Sequence, residues 1–233
     1  MPDPLPSLHD TNSPINIVLF GIGNNEDKYL KTKHNIGRLV IEALALRQNS
    51  SFQKQGNKNL PVLKAKIEIV GKNLDKIAYH TLYSSSYVND SGRFLQSYLS
   101  YNKIDINSSI LIILQDDSDQ NEGEYKVVIG GGSAGHNGIS DIYKYINKDK
   151  VIRIKVGIRP FNNLEKSMTF VLKPITKLDS DNIISVTNYI IKALDTINNL
   201  SFNNYKLDNI TTVSKSILNS YSIEKNLKKN LNK

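Results

Sequence analysis

Two apolar stretches stand out along the chain. Residues 15–21 read INIVLFG and residues 110–114 read ILIIL. Short continuous runs of this kind are expected of strands buried on both faces, at the centre of a sheet covered by helices. Elsewhere the period changes. Ile36, Leu39, Val40, Ala43, Leu44 and Leu46 recur at helical spacing and predict a helix near 33–47, with Thr32 or Asn35 as its start signal. Val88, Phe94, Leu95, Tyr98 and Leu99 predict a second helix, and Ile139, Ile142, Tyr143 and Ile146 a third helical face. Ile183, Val186, Ile190, Leu194 and Ile197 follow the helical repeat, so 180–198 reads as an amphipathic helix capped by Asp179 or Ser180. Further strands are expected at 62–70, 76–82, 125–129 and 151–158. Residues 48–60 read as polar loop, and Asp116-Asp117 as the close of the strand at 110–114. Strands alternating with helices predict a single three-layer α/β/α domain.

The two ends differ from this middle. Residues 1–14, rich in proline and polar residues, read as a disordered N-terminal extension. Residues 201–233 end in KNLKKNLNK and read as a basic, partly helical C-terminal extension, which leaves 15–200 as the domain. The N-terminal segment holds two aspartates and no Lys or Arg, unlike a secretory signal or an Arg-rich presequence. No apolar run approaches the ~20 residues of a membrane helix. The expectation is a soluble intracellular protein with no membrane partner.

Composition narrows the chemistry. The 233 residues include no cysteine, which excludes disulfides, thiolate nucleophiles and thiolate metal sites. Lys and Arg number 30 against 22 Asp and Glu, a net charge of +8 that favours a polyanionic partner such as nucleic acid. There are four histidines, His9, His34, His80 and His136. His9 falls in the N-terminal extension, and His80 follows a strand-like run and reads as a surface or edge residue. His34 falls at the predicted first turn of a helix, where the macrodipole disfavours a cationic ring and keeps an imidazole neutral enough to act as a base. Asn24 and Asp116 close the two apolar strands, and open α/β sheets bind ligands beyond the carboxyl ends of their strands. An aspartate beside His34 would fix its tautomer and support its charged form.

Other constellations fit less well. The segment 130–138, GGGSAGHNG, could cradle a phosphate with backbone N–H groups, but lacks the GK[ST] ending of a P-loop. Residues 131–135 also match G-x-S-x-G, yet that motif needs its histidine well downstream, and His136 is only three residues past Ser133. Gly21 and Gly23 begin a dinucleotide fingerprint that Glu26 breaks. No two histidines share the spacing of a helical metal site. What remains is one histidine, one aspartate and the amides of Asn24, Asn35, Asn89 and Asn137, a set suited to base-assisted attack of water on a reactive ester without metal or cofactor.

The same residues resemble a known family. Residues 21–37, GIGNNEDKYLKTKHNIG, are similar to the G-L-G-N-P-G-x-x-Y-x-x-T-R-H-N-x-G signature of bacterial-type peptidyl-tRNA hydrolase. Three further blocks follow in family order: YVNDSG at 87–92, DDSD at 116–119 with Gly123, and GGSAGHNG at 131–138. The resemblance continues through RIKVGIRP at 153–160 and FVL at 170–172, and covers roughly 15–200. It implies a peptidyl-tRNA hydrolase-like α/β fold with a central mixed sheet, and hydrolysis of the ester between a peptide and the terminal ribose of tRNA. Carried across, His34 would activate water and Asp116 would orient it. Asn24 would lie near the scissile bond and help reject aminoacyl-tRNA. Asn89 and Asn137 would hold the peptide, the water or the oxyanion. Tyr29 and Tyr87 would meet the tRNA 3′ end, and Lys126, Arg153 and Lys155 would meet tRNA phosphates. The resemblance also implies a monomer, in the cytosol or in mitochondria, with no protein partner.

Several positions depart from the family pattern. Asn25-Glu26 replaces Pro-Gly and sets an acid near a polyanion site; Val88 replaces methionine, Gln115 stands where histidine is frequent, and Val128 replaces a basic residue. A glycine is missing between Ile158 and Arg159. These departures bear on substrate fit more than on chemistry. Two alternatives stand beside the hydrolase: an inactive RNA-binding module on the same fold, and a general carboxylesterase, which would not need the positive charge.

Overall fold

Seven strands form one mixed sheet: β1 (Ile15–Gly21), β2 (Phe52–Asn57), β3 (Leu60–Ala65), β4 (Ile77–Ser84), β5 (Ser109–Asn121), β6 (Tyr125–Ile129) and β7 (Val151–Arg159). Their spatial order is β2-β3-β4-β1-β5-β7-β6. The four inner strands β4, β1, β5 and β7 run parallel, while β2, β3 and β6 are antiparallel to their neighbours. The computed structural model describes residues 14–65, 77–199 and position 216, so nearly all of both predicted extensions, His9 included, lies outside the described residues.

The apolar runs sit where two-sided burial demands them. On β1, Ile17 and Leu19 face a core completed by α1 (Ile36–Arg47) and α4 (Lys177–Asn198). Val18 and Phe20 face the opposite core, built with α2 (Ser91–Tyr101) and α3 (Asn137–Ile142). On β5, Ile110, Ile112 and Leu114 join the first core, and Leu111 and Ile113 the second. Strand periodicity thus feeds two helical layers from one sequence run, and the three-layer α/β/α expectation holds.

Four local expectations are corrected. The stretch 48–60 is not loop throughout, because Phe52–Asn57 pairs with β3 as the edge strand β2; its mostly exposed polar side chains hide the strand from a hydrophobicity reading. β5 does not stop before Asp116-Asp117 but carries both into the sheet, opposite Val156 and Gly157 of β7. The first helix begins with a 3-10 turn, Lys33–Asn35, before α1 starts at Ile36. α4 starts at Lys177, capped by Thr176 in a capping box with Asp179, rather than by Asp179 or Ser180. The expected strand 62–70 is seen to Ala65, and its remainder lies outside the described residues.

His80 is corrected as well. It is neither at the surface nor at an edge: it lies buried within β4, beside Val18 of β1.

Candidate active site

His34 is presented by the short turn between β1 and α1, at the carboxyl end of the parallel strands. Three backbone features hold that turn: its own N–H donates to the Val171 carbonyl at 2.8 Å, the Lys33 N–H donates to the Lys173 carbonyl at 3.0 Å, and Thr32 bridges Pro174. Glycine decides how near it comes to β5. A Cβ at Gly37 would lie 2.2 Å from the Leu114 carbonyl oxygen, so only glycine lets α1 start against that strand. Two residues beyond Leu114, Asp116 Oδ1 stands 2.9 Å from His34 Nδ1.

The same oxygen has a second partner. His136 Nε2, just ahead of α3, is also 2.9 Å from Asp116 Oδ1, and the two imidazole rings are 5.3 Å apart. Because the carboxylate only accepts, His34 carries its proton on Nδ1 and His136 on Nε2. This leaves His34 Nε2 as the free base. The sequence offers His136 only as a partner for Ser133. The signal that would have found it is its place behind a glycine loop, which folds back toward the carboxyl end of β5. Its Nδ1 is buried with no hydrogen-bond partner among the described residues.

Burial pushes the His34 ring toward the neutral form, but the charge and hydrogen bond of Asp116 outweigh it and raise its pKa above the usual 6.5. The direction is opposite to the one expected from the helix dipole alone. Burial likewise favours protonated Asp116, yet His34 and His136 together hold its carboxyl well below the usual carboxylate range. The carboxylate is therefore charged across the physiological range.

His34, Asp116, His136 and Asn137 line one cleft of about 160 Å³ together with Ser133, Met168 and Lys155. Asn89, exposed, and Asn24, buried, are not among its lining residues. Asn24 is nonetheless tied to the turn that carries His34: its N–H donates to Asn35 Oδ1 at 2.7 Å, and Asn35 Nδ2 returns a bond to the Asn24 carbonyl at 2.9 Å. The Val88 N–H donates to Asn24 Oδ1 at 3.0 Å, which fixes the amide orientation and leaves the two Nδ2 protons without a protein partner among the described residues. Arg38 braces the neighbouring departure from the family pattern, donating to the Asn24 carbonyl and to Asn25 Oδ1, each at 2.9 Å. Glu26 is neutralised in place by Lys28 at 2.9 Å and accepts a hydrogen bond from the Tyr87 hydroxyl.

The remaining sequence candidates separate by exposure. Tyr87 is exposed and Tyr29 half-buried, neither lining the cleft. Lys126 is exposed on the edge strand β6. Arg153 and Lys155 are only 3% and 7% exposed, and Lys155 pairs with Asp117 at 2.9 Å. Lys155 also lines the cleft. The atoms His34 Nδ1, Asp116 Oδ1 and His136 Nε2 lie within 4.8 Å of one another, a donor set that divalent transition metals accept. Here both ring nitrogens are spent on one carboxylate oxygen, so a metal would have to displace two hydrogen bonds.

Comparison with known proteins gives the family and the fold. The family model for peptidyl-tRNA hydrolase matches residues 18–215. A peptidyl-tRNA hydrolase from Prochlorococcus marinus is 33% identical over 180 residues, covering 75% of this chain and 84% of that one. The crystal structure of a peptidyl-tRNA hydrolase in complex with N-propanol matches with a TM-score of 0.65, and that of the Acinetobacter baumannii enzyme with 0.64. Each covers 92% of this chain and 98% of the other at 21% identity, a likeness of fold. On the strength of the family match across both helical layers and of the relative's identity, the chain belongs to the peptidyl-tRNA hydrolase family.

Proposed function

We propose that this peptidyl-tRNA ester hydrolase uses His34 as its general base and Asp116 as the group that orients and charges it. The observation carrying this reading is the 2.9 Å contact between His34 Nδ1 and Asp116 Oδ1 in a cleft. His34 Nε2 takes a proton from water as the water oxygen bonds to the ester carbonyl carbon. The carbon–oxygen bond to the ribose then breaks, and the imidazolium returns the proton to the leaving 3′ oxygen. Asp116 stabilises the imidazolium between these steps without itself being protonated. His136 bonds the same carboxylate oxygen and helps to fix it.

Asn24 contributes through its oriented amide. With Oδ1 held by the Val88 N–H, the two Nδ2 protons are the donors left without a protein partner among the described residues. Such a group donates to a peptide carbonyl and repels the ammonium of an aminoacyl-tRNA, which supports its assignment as the residue that discriminates the two. Asn89 and Asn137 supply further neutral contacts for peptide, water or oxyanion. Tyr29 and Tyr87 offer rings for the 3′ nucleotides. Lys126, exposed, is the best placed of the three basic candidates for a phosphate, with Arg153 and Lys155 acting from beneath the glycine loop. The family resemblance adds a monomer, acting in the cytosol or in mitochondria. No helix among the described residues is long and apolar enough to cross a membrane.

The test is hydrolysis of N-acetyl-aminoacyl-tRNA by the wild type and His34→Ala. A loss of about 10²–10⁴-fold in kcat/KM is expected of the variant. Unchanged turnover would remove His34 from the role. Binding without turnover in the wild type would instead support the inactive RNA-binding module, a reading that the intact His34–Asp116 contact does not favour.

A further inference from the structure

The residue before the base is a lysine, and its side chain leaves the cleft for the interior. Lys33 is 2% exposed, and its ammonium lies 2.5 Å from Glu122 Oε1 and 2.5 Å from Asp179 Oδ2. Asp179 is fully buried and Glu122 is 12% exposed. The three groups come from three segments. Glu122 directly follows β5, the strand that carries Asp116, and its N–H donates to the Arg159 carbonyl at the end of β7. Asp179 is the third residue of α4 and already accepts the Thr176 N–H at 2.7 Å within the capping box. On the other side, the backbone of 31–34 is laced to 171–175. Lys33 is therefore the side-chain anchor between the turn holding the base and the strand holding its carboxylate.

A buried ion cluster is a poor source of net stability, since apolar residues of similar volume commonly serve as well or better. What charges of fixed geometry supply is a single arrangement. We propose that Lys33, through Glu122 and Asp179, is a positioning residue that sets His34 at hydrogen-bonding distance from Asp116. The inference rests on the general-base reading of His34. It adds that the 2.9 Å contact depends on a buried cation outside the cleft. One detail predicts how the site tolerates change. Asp179 Oδ1 is buried without a partner, and the planar fork of an arginine can engage both oxygens of a carboxylate where lysine engages one. Lys33→Arg is thus the conservative variant, and Lys33→Met removes the charge at similar length.

The experiment measures kcat and KM on N-acetyl-aminoacyl-tRNA against pH for the wild type, Lys33→Met and Lys33→Arg, with folding checked by circular dichroism and thermal midpoint. The groups facing His34 and the cleft are Asp116 and Asp117 of β5, His136 ahead of α3 and Lys155 of β7, all unchanged in these variants. Misplacing a reacting group by an ångström costs on the order of 10²-fold. Lys33→Met is expected to lose about 10- to 100-fold in kcat with KM within about threefold. Its acid limb should move to lower pH, as His34 loses contact with Asp116. Lys33→Arg should stay within about threefold of wild type and keep the limb in place. A folded Lys33→Met with wild-type kcat and an unmoved limb overturns the proposal, and so does an arginine variant as damaged as the methionine one. Where Lys33→Met does not fold, Glu122→Gln carries the same test: a lowered kcat with the limb displaced supports the proposal, and an unchanged profile overturns it. A wild type with no acid limb at all would instead defeat the reading of His34 as base, so the two failures are told apart.

Discussion

His80 lies within the sheet and His34 in the turn that leads from its first strand into α1; both are largely withdrawn from water, yet their neighbours assign them opposite chemistry. His34 Nδ1 meets the carboxylate of Asp116. His80 Nδ1 instead accepts from the Tyr98 hydroxyl at 2.8 Å, its Nε2 donates to Asn16 Oδ1 at 2.9 Å, and the nearest charge is the cation of Lys64. Burial and Lys64 lower the His80 pKa to about 4, whereas Asp116 carries His34 above 6.5 against its own burial. The difference teaches that burial alone takes a histidine below the neutral range, and that a carboxylate on the ring is what keeps a buried one able to exchange protons near neutrality. The linkage to stability also runs in opposite directions. The His34 pairing contributes stability that is whole below pH 6.5 and is lost as pH rises through its raised pKa. The neutral burial of His80 contributes stability that is whole above pH 6.5 and is lost as pH falls toward 4.

The comparison can be broken most sharply at Asp116. Asp116→Asn removes the only negative group bonded to His34 among the described residues and is expected to lower kcat/KM by about 10²–10⁴-fold, measured on N-acetyl-aminoacyl-tRNA. His136→Ala keeps the base and its carboxylate but takes away one of the two donors on Asp116 Oδ1. A lost charge-assisted hydrogen bond of about 1.5 kcal/mol corresponds to roughly tenfold in the same assay. The smallest catalytic effect belongs to His80→Leu. Turnover per folded molecule should stay within about twofold, while urea denaturation should show about 1–3 kcal/mol of lost stability, because Tyr98 and Asn16 are left with unpaired polar groups. A large catalytic loss at His80 would erase the distinction between the two sites.

How far each region was legible follows from the same physics. The strands β1 and β5 are visible in sequence because two helical layers demand apolar residues on both faces. β2 is not, because an edge strand with exposed Gln and Lys carries no such demand. The extension of β5 through Asp116-Asp117 was hidden for a related reason. Two carboxylates read as a turn until His34, His136 and Lys155 are seen to neutralise them inside the fold. The capping box at Thr176 and Asp179 was present in the sequence as T-x-x-D and could have moved the start of α4 back to Lys177. His34, Asp116 and Asn24 were legible as polar residues ending apolar strands, and the family resemblance sharpened them. The partnership of His136 with Asp116 had only the glycine loop ahead of it as a signal, and the burial of Lys33 had none in its own segment. Each depends on a segment more than ten residues away, the β5 strand for His136 and α4 for Lys33.

The central claim is that Asp116 makes His34 a base poised near neutral pH. The most direct measurement is the pH dependence of kcat/KM for N-acetyl-aminoacyl-tRNA hydrolysis, which reports the free enzyme, in the wild type and in Asp116→Asn. The wild type should gain activity as pH rises, with a midpoint above 6.5. The variant should be slower, with its midpoint moved below 6.5, where burial acts on His34 unopposed. A midpoint that stays in place when the carboxylate is removed, or a wild-type rate that does not respond to pH around neutrality, would contradict the account.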